Sequence, residues 1–500
     1  MGEGSRAARI DGWIAAIVGL GYLVLYLLTL CPIVYWYDSA EFVTAAFTLG
    51  IPHPPGYPLY TLLGHAFTWL PIEPALAVNF MSAAFAALAV SLVYLIGRQL
   101  GARPGSAFVG AGVFGGGKLF WANAVVAEVY CPGLAFMAAV LYLLLRAREG
   151  RRFSFVLAAS FLAGLGLGVH MSIATLGLGF VLLVWAFDAR IDRPADLAEL
   201  VRLQGFRARF GRTALAGVAA AAGGLIFLYL PLRASQKPAL NFGDPSTLDQ
   251  FVWVVSGGTY KGWFADELDL VARVRGIFEA FQEQLLLLGL LLAIVGVVWL
   301  WRRRPLDVLA IGLMVVGNVG FFFRYQVHDL AVFFLPTTML ASCLVACGAE
   351  ASIGLVARAV SPTKQAAMTR LVEGALIGFA LLLAIGNYRD VDMSGFGETE
   401  EYIASMIQEL PEAAIVLNFT TPPEWKYDAV FGMYVRKVLR QRTDVEVVSV
   451  PAYGPRVVSS ALASGRPVYA YYPLPMLNDQ LLLEAEGPAF RVRRREVTSP

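Results

Sequence analysis

Long apolar runs separated by short polar loops set the pattern of this chain. The runs are long enough to cross about 30 Å of hydrocarbon as helices, and we predict about eleven of them. The predicted spans are 13–33, 76–97, 106–122, 130–146, 153–169, 172–188, 213–231, 284–301, 306–323, 331–348 and 371–387. The chain is therefore predicted to be a polytopic α-helical membrane protein.

Basic residues cluster in alternate loops. They are Arg6 and Arg9, Arg98 and Arg103, Arg146 to Arg152, Arg190 to Arg212, Arg302 to Arg304, and Arg358, Lys364 and Arg370. The positive-inside rule assigns these loops to the cytoplasm. The loops between them then lie outside, and an odd number of spans places the C-terminus outside as well. The long outer segment 233–275 is predicted to have structure of its own.

The pattern changes near residue 388. Strands are predicted at 413–417, 445–450 and 467–472, and helices at 400–410 and 428–442, since apolar residues recur there at short strand and helix periods. We therefore divide the chain into a transmembrane domain, 1–388, with a first outer loop at 34–75, and a small extracytoplasmic α/β domain, 389–500.

Composition agrees with a membrane protein. The hydrophobic fraction is 58% and the charged fraction 15%, against about 25% charged in soluble domains. The net charge of +2 gives no reason to expect a nucleic-acid partner. The first run, which begins near Ile14, lacks a small-residue cleavage site, so it is interpreted as a retained span rather than a signal peptide.

Two carboxylates follow the first span directly. Asp38 and Glu41 are three residues apart in the segment Tyr37 to Phe42, so a helix would place both on one face. Two close carboxylates push one pKa upward, and one of them is then suited to act as a base. The alternative is a helix-capping Asp38 followed by a solvated Glu41.

A proline-rich loop follows this pair. Residues 52–58 contain four prolines, which leave few backbone donors and little freedom. We expect the loop to form the wall of a pocket and to direct His53 and Tyr57 into it; the alternative is a plain surface turn.

Further polar residues map to the same outer side. Arg233 and Arg324 could bind a lipid phosphate, and the alternative is that their side chains extend to the membrane interface. His170 could line a pocket, and the alternative is that it makes a structural hydrogen bond. The other pocket candidates are Glu128, Lys261, Tyr325, His328 and Asp329. No metal-ligand spacing occurs, so no metal or cofactor is expected. Cys31 and Cys131 both lie near the outer face, and whether they form a disulfide stays open.

Several of these segments resemble one family. The segments are 37–42, 49–60, 127–130, 164–170, 229–233, 241–248 and 325–329. They are similar to motifs of the bacterial relatives of the transmembrane O-mannosyltransferases that act on plexin-type receptors. Many relatives carry two adjacent histidines where this chain has Val169, His170 and Met171, which weakens a role for His170.

The resemblance implies a GT-C fold and an inverting sugar transfer from a polyprenyl-phosphate donor, with mannose as the expected sugar, to a hydroxyl acceptor such as Ser or Thr of a protein. It implies that Asp38 is the base, that Glu41 positions the acceptor or the base, and that Arg233 and Arg324 hold the leaving phosphate. The expected location is the bacterial inner membrane, with the site outside. Two alternatives remain, namely a transferase acting on a lipid or polysaccharide, and a transporter or flippase of a lipid-linked sugar.

Overall fold

Helices form most of the chain. The computed structural model describes residues 3–201, 205–265, 267–327, 329–404, 409–419, 428–450, 455–470, 481–486 and 489–494. The α-helices are α1 (Glu3–Leu28), α2 (Ser39–Thr48), α3 (Pro58–Phe67), α4 (Pro74–Gln99), α5 (Pro104–Gly116), α6 (Lys118–Ala124), α7 (Tyr130–Gly150), α8 (Phe153–Gly166), α9 (Gly177–Trp185), α10 (Phe206–Gly224), α11 (Tyr229–Ala234), α12 (Leu248–Val255), α13 (Leu270–Trp301), α14 (Pro305–Phe322), α15 (Leu335–Arg358), α16 (Pro362–Val391), α17 (Glu398–Ile403), α18 (Asp428–Lys437) and α19 (Pro455–Ala463). Short 3₁₀ helices lie at Met171–Leu176, Pro194–Val201, Leu225–Leu228, Gly258–Trp263 and Leu330–Phe334.

The predicted spans coincide with helical segments. Within the described residues, eight segments are long and apolar enough to cross a membrane, namely Ala8–Leu28, Pro74–Gln99, Tyr130–Gly150, Phe206–Ala234, Leu270–Trp301, Pro305–Phe322, Leu330–Arg358 and Pro362–Val391. Two predicted spans, at 153–169 and 172–188, are the shorter apolar helices Phe153–Gly166 and Met171–Trp185. The predicted span at 106–122 is divided between α5 and α6. The protein is therefore a multi-pass membrane protein in which some predicted spans are short or broken.

Local sequence signals explain where many helices begin. Proline stands at the first or second position of α3, α4, α5, α14, α15 and α16, where its missing N–H costs no helical hydrogen bond. Thr247 and Gln250 form a reciprocal capping box at the start of α12. Signals of this kind determine the residue at which each of these helices begins.

Glycines allow a close crossing between α13 and α15. A Cβ on Gly296 of α13 would lie 2.0 Å from the carbonyl oxygen of Leu344, and a Cβ on Gly348 of α15 would lie 1.8 Å from that of Leu292. No side chain fits at such distances, so α13 and α15 pack backbone against backbone, as small residues permit in membrane bundles.

The break between α5 and α6 is closed by Gln284. The backbone of Gly117 is extended there, at φ −69° and ψ 137°, which leaves helical groups without their usual partners. The fully buried Gln284 of α13 donates from Nε2 to the Phe114 carbonyl and accepts from the Phe120 N–H, both at 3.0 Å. One side chain thus satisfies the two backbone groups inside the bundle.

The C-terminal segment contains a five-stranded mixed sheet. Its strands are β1 (Ile415–Phe419), β2 (Glu446–Val450), β3 (Val468–Ala470), β4 (Leu481–Glu486) and β5 (Ala489–Arg494), in the order β2-β1-β3-β5-β4. β1 pairs in parallel with β2 and β3, whereas β5 pairs antiparallel with β3 and β4. The small α/β region is therefore confirmed. Residues 405–408 of the predicted helix at 400–410 and residues 471–472 of the predicted third strand lie outside the described residues.

The C-terminal segment packs against the first outer loop. The Trp36 ring contacts the rings of Tyr402 and Phe431 at 5.3 and 5.9 Å between centroids. The Trp36 indole N–H donates to Glu398 at 3.2 Å, and the Thr399 hydroxyl donates to the Val34 carbonyl at 2.6 Å. These contacts hold the segment that leads into α2. The boundary at residue 388 between two domains stays a prediction; α16, the last long helix, ends at Val391.

All four cysteines lie within the described part of the chain and are free and buried. The Cys31 thiol donates to the Ile33 carbonyl, and the Cys131 thiol donates to the Phe120 carbonyl. The structure therefore has no Cys31–Cys131 bond.

Candidate active site

Asp38 and Glu41 are placed by the start of α2. Asp38 is the N-cap residue, and its carbonyl oxygen accepts the first helical bond, from the Phe42 N–H at 2.9 Å. Within the described residues, its carboxylate makes no capping bond. Its side chain is 38% exposed, whereas that of Glu41 is 4% exposed. The alternative of a capping aspartate followed by a solvated glutamate therefore does not describe this pair.

The proline-rich loop closes over Glu41. Every residue from 51 to 60 is buried, so the loop is not a surface turn. Ile51 is fixed to the segment before α12, because its N–H donates to Leu240 at 2.8 Å and its carbonyl accepts from Phe242 at 2.9 Å. The Gly56 N–H donates to the His53 carbonyl at 2.9 Å and closes a turn. This turn directs His53 toward α2.

Glu41 and His53 form a two-point contact. One carboxylate oxygen accepts from the His53 backbone N–H at 2.7 Å, and the other lies 2.7 Å from ring Nδ1. The opposite ring nitrogen, Nε2, lies 3.1 Å from the Tyr57 hydroxyl and 3.7 Å from Asp38 Oδ2. The imidazole therefore lies between the buried and the open carboxylate.

The charges of this cluster depend on one another. The protein surrounds Asp38 on most sides and removes water from its carboxylate. This desolvation raises the pKa of Asp38 to about 6, although the charge of His53 acts in the opposite direction. Burial also disfavours a charge on His53, but Glu41 and Asp38 outweigh it and raise the pKa of His53 to about 9. At neutral pH both groups are therefore ionised, Asp38 as a carboxylate and His53 as an imidazolium.

His170 lies on the other side of Tyr57. Its ring stacks on that of Tyr57 at 6.2 Å between centroids and contacts Tyr130 at 5.3 Å. Nδ1 lies 2.6 Å from the Ser172 hydroxyl and accepts from the Ser172 N–H at 3.3 Å. Burial lowers the pKa of His170 to about 4, so this histidine is neutral and caps the 3₁₀ helix that follows.

Glu128 and Asp329 add two carboxylates to the cluster. Burial, followed by the charges of Asp38 and Asp329, raises the pKa of Glu128 well above its usual range. The Tyr130 hydroxyl donates to Asp329 at 3.3 Å. Carboxylates that share one space raise one another's pKa values, and Asp38 and Asp329 both act on Glu128 in this direction.

The remaining candidates lie on two connected loops. Tyr325 is buried against Phe333 and Trp263, and Lys261 is exposed. The exposed Arg324 donates from Nε to the Ala265 carbonyl at 2.9 Å. His328 lies outside the described residues.

Arg233 is engaged with the end of α2. Its Nε donates to the Leu49 carbonyl at 2.8 Å and its Nη2 to the Thr48 carbonyl at 3.2 Å, while Nη1 donates to Gln236 at 2.5 Å. The guanidinium therefore holds the last carbonyls of the helix that carries Glu41.

Asp38, Glu41 and His53 have the chemistry of metal ligands, and one atom from each lies within 4.8 Å of the others. Donors bound to one ion stand roughly 3 Å apart or more, given metal–ligand bonds near 2.1 Å. The 2.7 Å between Glu41 and Nδ1 is instead a hydrogen-bond length. The arrangement fits a shared proton, and the expectation of no metal stays a prediction.

Sequence reasoning missed three residues that build the site. Tyr130 contacts both His170 and Asp329, and its place two residues after Glu128 was the available signal. The Tyr260 hydroxyl donates to the Pro54 carbonyl at 2.9 Å. Asn79 donates to the Cys31 and Ile33 carbonyls at 2.8 and 2.9 Å; an amide inside an apolar span was its signal.

Solved structures define the class of fold. ArnT from Cupriavidus metallidurans, in a crystal structure with bound undecaprenyl phosphate, matches with a TM-score of 0.60 and 14% identity over 98% of this chain and 99% of that one. Its apo structure matches with a TM-score of 0.60 and 13% identity over 97% and 98%. The protein therefore has a GT-C-like membrane fold with a small C-terminal sheet.

Sequence comparison points to one family. The model of the protein O-mannosyl-transferase TMEM260 N-terminal domain matches residues 38–193. The TMEM260 protein O-mannosyl-transferase of Mus musculus is 29% identical over 255 residues, which are 49% of this chain and 34% of that protein. The Dictyostelium discoideum protein is 28% identical over 124 residues, 24% of this chain and 15% of that protein. The matches span about a third or less of these relatives, and the resemblance to this family is confirmed.

Proposed function

We propose that this protein is a membrane glycosyltransferase that moves a sugar from a polyprenyl-phosphate donor to a hydroxyl acceptor with inversion. Mannose is the proposed sugar, and Ser or Thr of a protein is the proposed acceptor. The names of the relatives support the sugar and the acceptor. The undecaprenyl phosphate bound by ArnT supports the class of donor.

The observation that carries the proposal is the environment of Asp38. Its side chain is 38% exposed at the edge of a buried network, and its pKa is raised to about 6. A carboxylate with this pKa is roughly 90% ionised at pH 7 and is still basic enough to take a proton from a hydroxyl group. The arrangement therefore supplies an accessible base near the working pH.

The proposed step is one displacement. The acceptor oxygen forms a bond to the anomeric carbon while the bond from that carbon to the phosphate oxygen breaks. The electron pair leaves with the lipid phosphate, and the hydroxyl proton passes to Asp38. Attack from the face opposite the leaving group inverts the anomeric configuration.

The leaving phosphate needs fixed positive donors as its charge grows. We propose Arg324 and Arg233 for this role. Arg324 is exposed, and its Nε and Nη2 donate to the Ala265 carbonyl. The Nε and both Nη atoms of Arg233 donate to protein oxygens. A phosphate would therefore bind Arg233 only by replacing some of these hydrogen bonds.

We place the site on the periplasmic side of the bacterial inner membrane. The basic loops predicted to be cytoplasmic support this orientation. The C-terminal segment, proposed as an outer domain, rests on Trp36 beside α2 and would there lie close to an incoming acceptor.

The test uses purified protein, undecaprenyl-phosphate-mannose and a Ser/Thr-rich peptide. Wild type should transfer mannose, and Asp38→Asn should lose activity by about 10²- to 10⁴-fold, the usual contribution of a general base, while donor binding persists. Asp249→Asn, at an exposed site on α12, is the matched control. Near-wild-type turnover by Asp38→Asn would refute the role of Asp38. Absence of transfer by wild type would shift support to another sugar, a lipid or polysaccharide acceptor, or transport.

A further inference from the structure

We propose that His53 is a positioning residue that keeps Asp38 in its ionised form, and that Glu41 holds the His53 ring in place for this role. The geometry that points to this is the position of the imidazole between the two carboxylates, with a different ring nitrogen facing each. The inference rests on the proposed function, in which Asp38 is the base.

Glu41 fixes the ring in one orientation. Its two oxygens bind the His53 backbone N–H and ring Nδ1, each at 2.7 Å. Both side chains are buried, at 4% and 6% exposure. Short, charge-assisted bonds of this kind restrict rotation. Nε2 is therefore held toward Tyr57 and Asp38, and Glu41 faces away from the space that Asp38 borders.

The surroundings of His53 favour its charged form. Negative groups face it from three directions, namely Glu41 in α2, Asp38 before α2 and Asp329 before a 3₁₀ helix. The Tyr57 hydroxyl at the start of α3 lies 3.1 Å from Nε2, and the neutral His170 stands beyond Tyr57. Desolvation opposes the charge, but the carboxylates prevail and raise the pKa of His53 to about 9.

The charge on His53 determines which group accepts the proton in the proposed reaction. At neutral pH both ring nitrogens already carry protons, because the pKa of His53 is raised to about 9, so His53 does not accept the proton that leaves the acceptor hydroxyl. That proton stays on Asp38 and leaves to water through its exposed side. His53 acts instead by lowering the pKa of Asp38, which burial would otherwise raise further. The arrangement is an electrostatic support and not a proton relay.

The kinetic test is a pH profile of kcat/KM for mannosyl transfer. Wild type should lose activity below about pH 6. His53→Gln removes the positive charge, so its acidic limb should move upward by at least one pH unit, with activity lost tenfold or more at pH 6 and largely recovered at pH 9. A purely structural role would lower activity equally at all pH values. His65→Gln is the matched control, since His65 lies on α3 and its Nδ1 bonds the Ala46 carbonyl.

The second test measures the charge directly and needs no turnover. The chain has four histidines, so ¹⁵N-histidine spectra of the full protein are simple, and His53→Gln identifies the His53 signal. We expect His53 to remain an imidazolium through pH 8, and Glu41→Gln to lower its titration midpoint by at least one pH unit.

The outcomes separate the two proposals. If wild type transfers no sugar but His53 titrates near pH 9 and responds to Glu41→Gln, the proposed function fails and the charged pair stands. A His53 midpoint below pH 7, or an acidic limb unmoved in His53→Gln, would overturn the inference. Loss of activity in EDTA that Mn²⁺ restores would also overturn it, because a metal ion would then occupy the place of the proton.

Discussion

Replacing Arg233 separates a phosphate-binding role from a structural one. The guanidinium donates to the Leu49 and Thr48 carbonyls, which end α2 and have no helical donor of their own. The Tyr229 hydroxyl, one turn earlier on α11, donates to the Gly50 carbonyl at 2.9 Å. The two side chains thus secure the end of the helix whose start carries Asp38. Arg233→Gln should therefore loosen this end of α2 even without any donor.

The magnitude follows from the two carbonyl bonds. A hydrogen bond to a charged group contributes about 1.5–3 kcal/mol, so two such bonds amount to roughly 3–6 kcal/mol when fully buried. Arg233 is half-buried, and water can replace part of the loss, so we expect about 2–3 kcal/mol of local stability. At 1.4 kcal/mol for each factor of ten, this corresponds to about 30- to 150-fold faster local opening.

Hydrogen–deuterium exchange measures this opening. The amides of 46–51 should exchange about 30- to 150-fold faster in Arg233→Gln, and those in the middle of α4 should not change. Arg275→Gln is the control, because Arg275 pairs with Glu279 on an exposed helix face, where an ion pair contributes little. Unchanged exchange at 46–51 combined with weaker binding of undecaprenyl phosphate would refute the structural assignment and favour phosphate binding.

Two further substitutions test the bundle and the donor site. Gln284→Leu removes the acceptor of the Phe120 N–H, at about 1–3 kcal/mol, and leaves the Phe114 carbonyl with only its long 3.4 Å bond from the Gly117 N–H. Unfolding in detergent should therefore require less heat than for wild type or for the exposed control Gln282→Leu; equal stability would contradict the bridging role. Arg324→Gln should lower kcat/KM for transfer by about 10²- to 10³-fold if it stabilises the leaving phosphate, and a change below threefold would remove it from the donor site.

Much of the membrane region could be predicted because its signals are local. Apolar length and flanking arginines predict each span without knowledge of its neighbours. The division of the span at 106–122 could not be predicted in this way. It depends on Gln284, which is more than 160 residues away and supplies both bonds for the broken backbone at Gly117.

The candidate site could be predicted in its parts but not in its connections. The spacing of Asp38 and Glu41 predicted one shared helix face, and the prolines predicted a loop that directs His53 and Tyr57 inward. The bond between Glu41 and His53 joins residues 12 apart, and no periodicity encodes it. Arg233 was predicted to bind phosphate because of its charge at the membrane boundary, yet its partners include carbonyls at the end of α2. Every residue has a backbone carbonyl, so the sequence does not show which ones a side chain will bind.

The different roles proposed for the two carboxylates follow from burial rather than from residue type. Asp38 is the N-cap of α2 and Glu41 lies in its first turn, and their residue type makes either one available as a base. The loop at 51–60 covers Glu41 and leaves 38% of the Asp38 side chain open. Asp38 is therefore the carboxylate of the pair that is open enough to meet the proposed acceptor, and Glu41 binds the ring that lies between the two carboxylates. A positively charged histidine held in this way favours the ionised form of the half-buried carboxylate beside it.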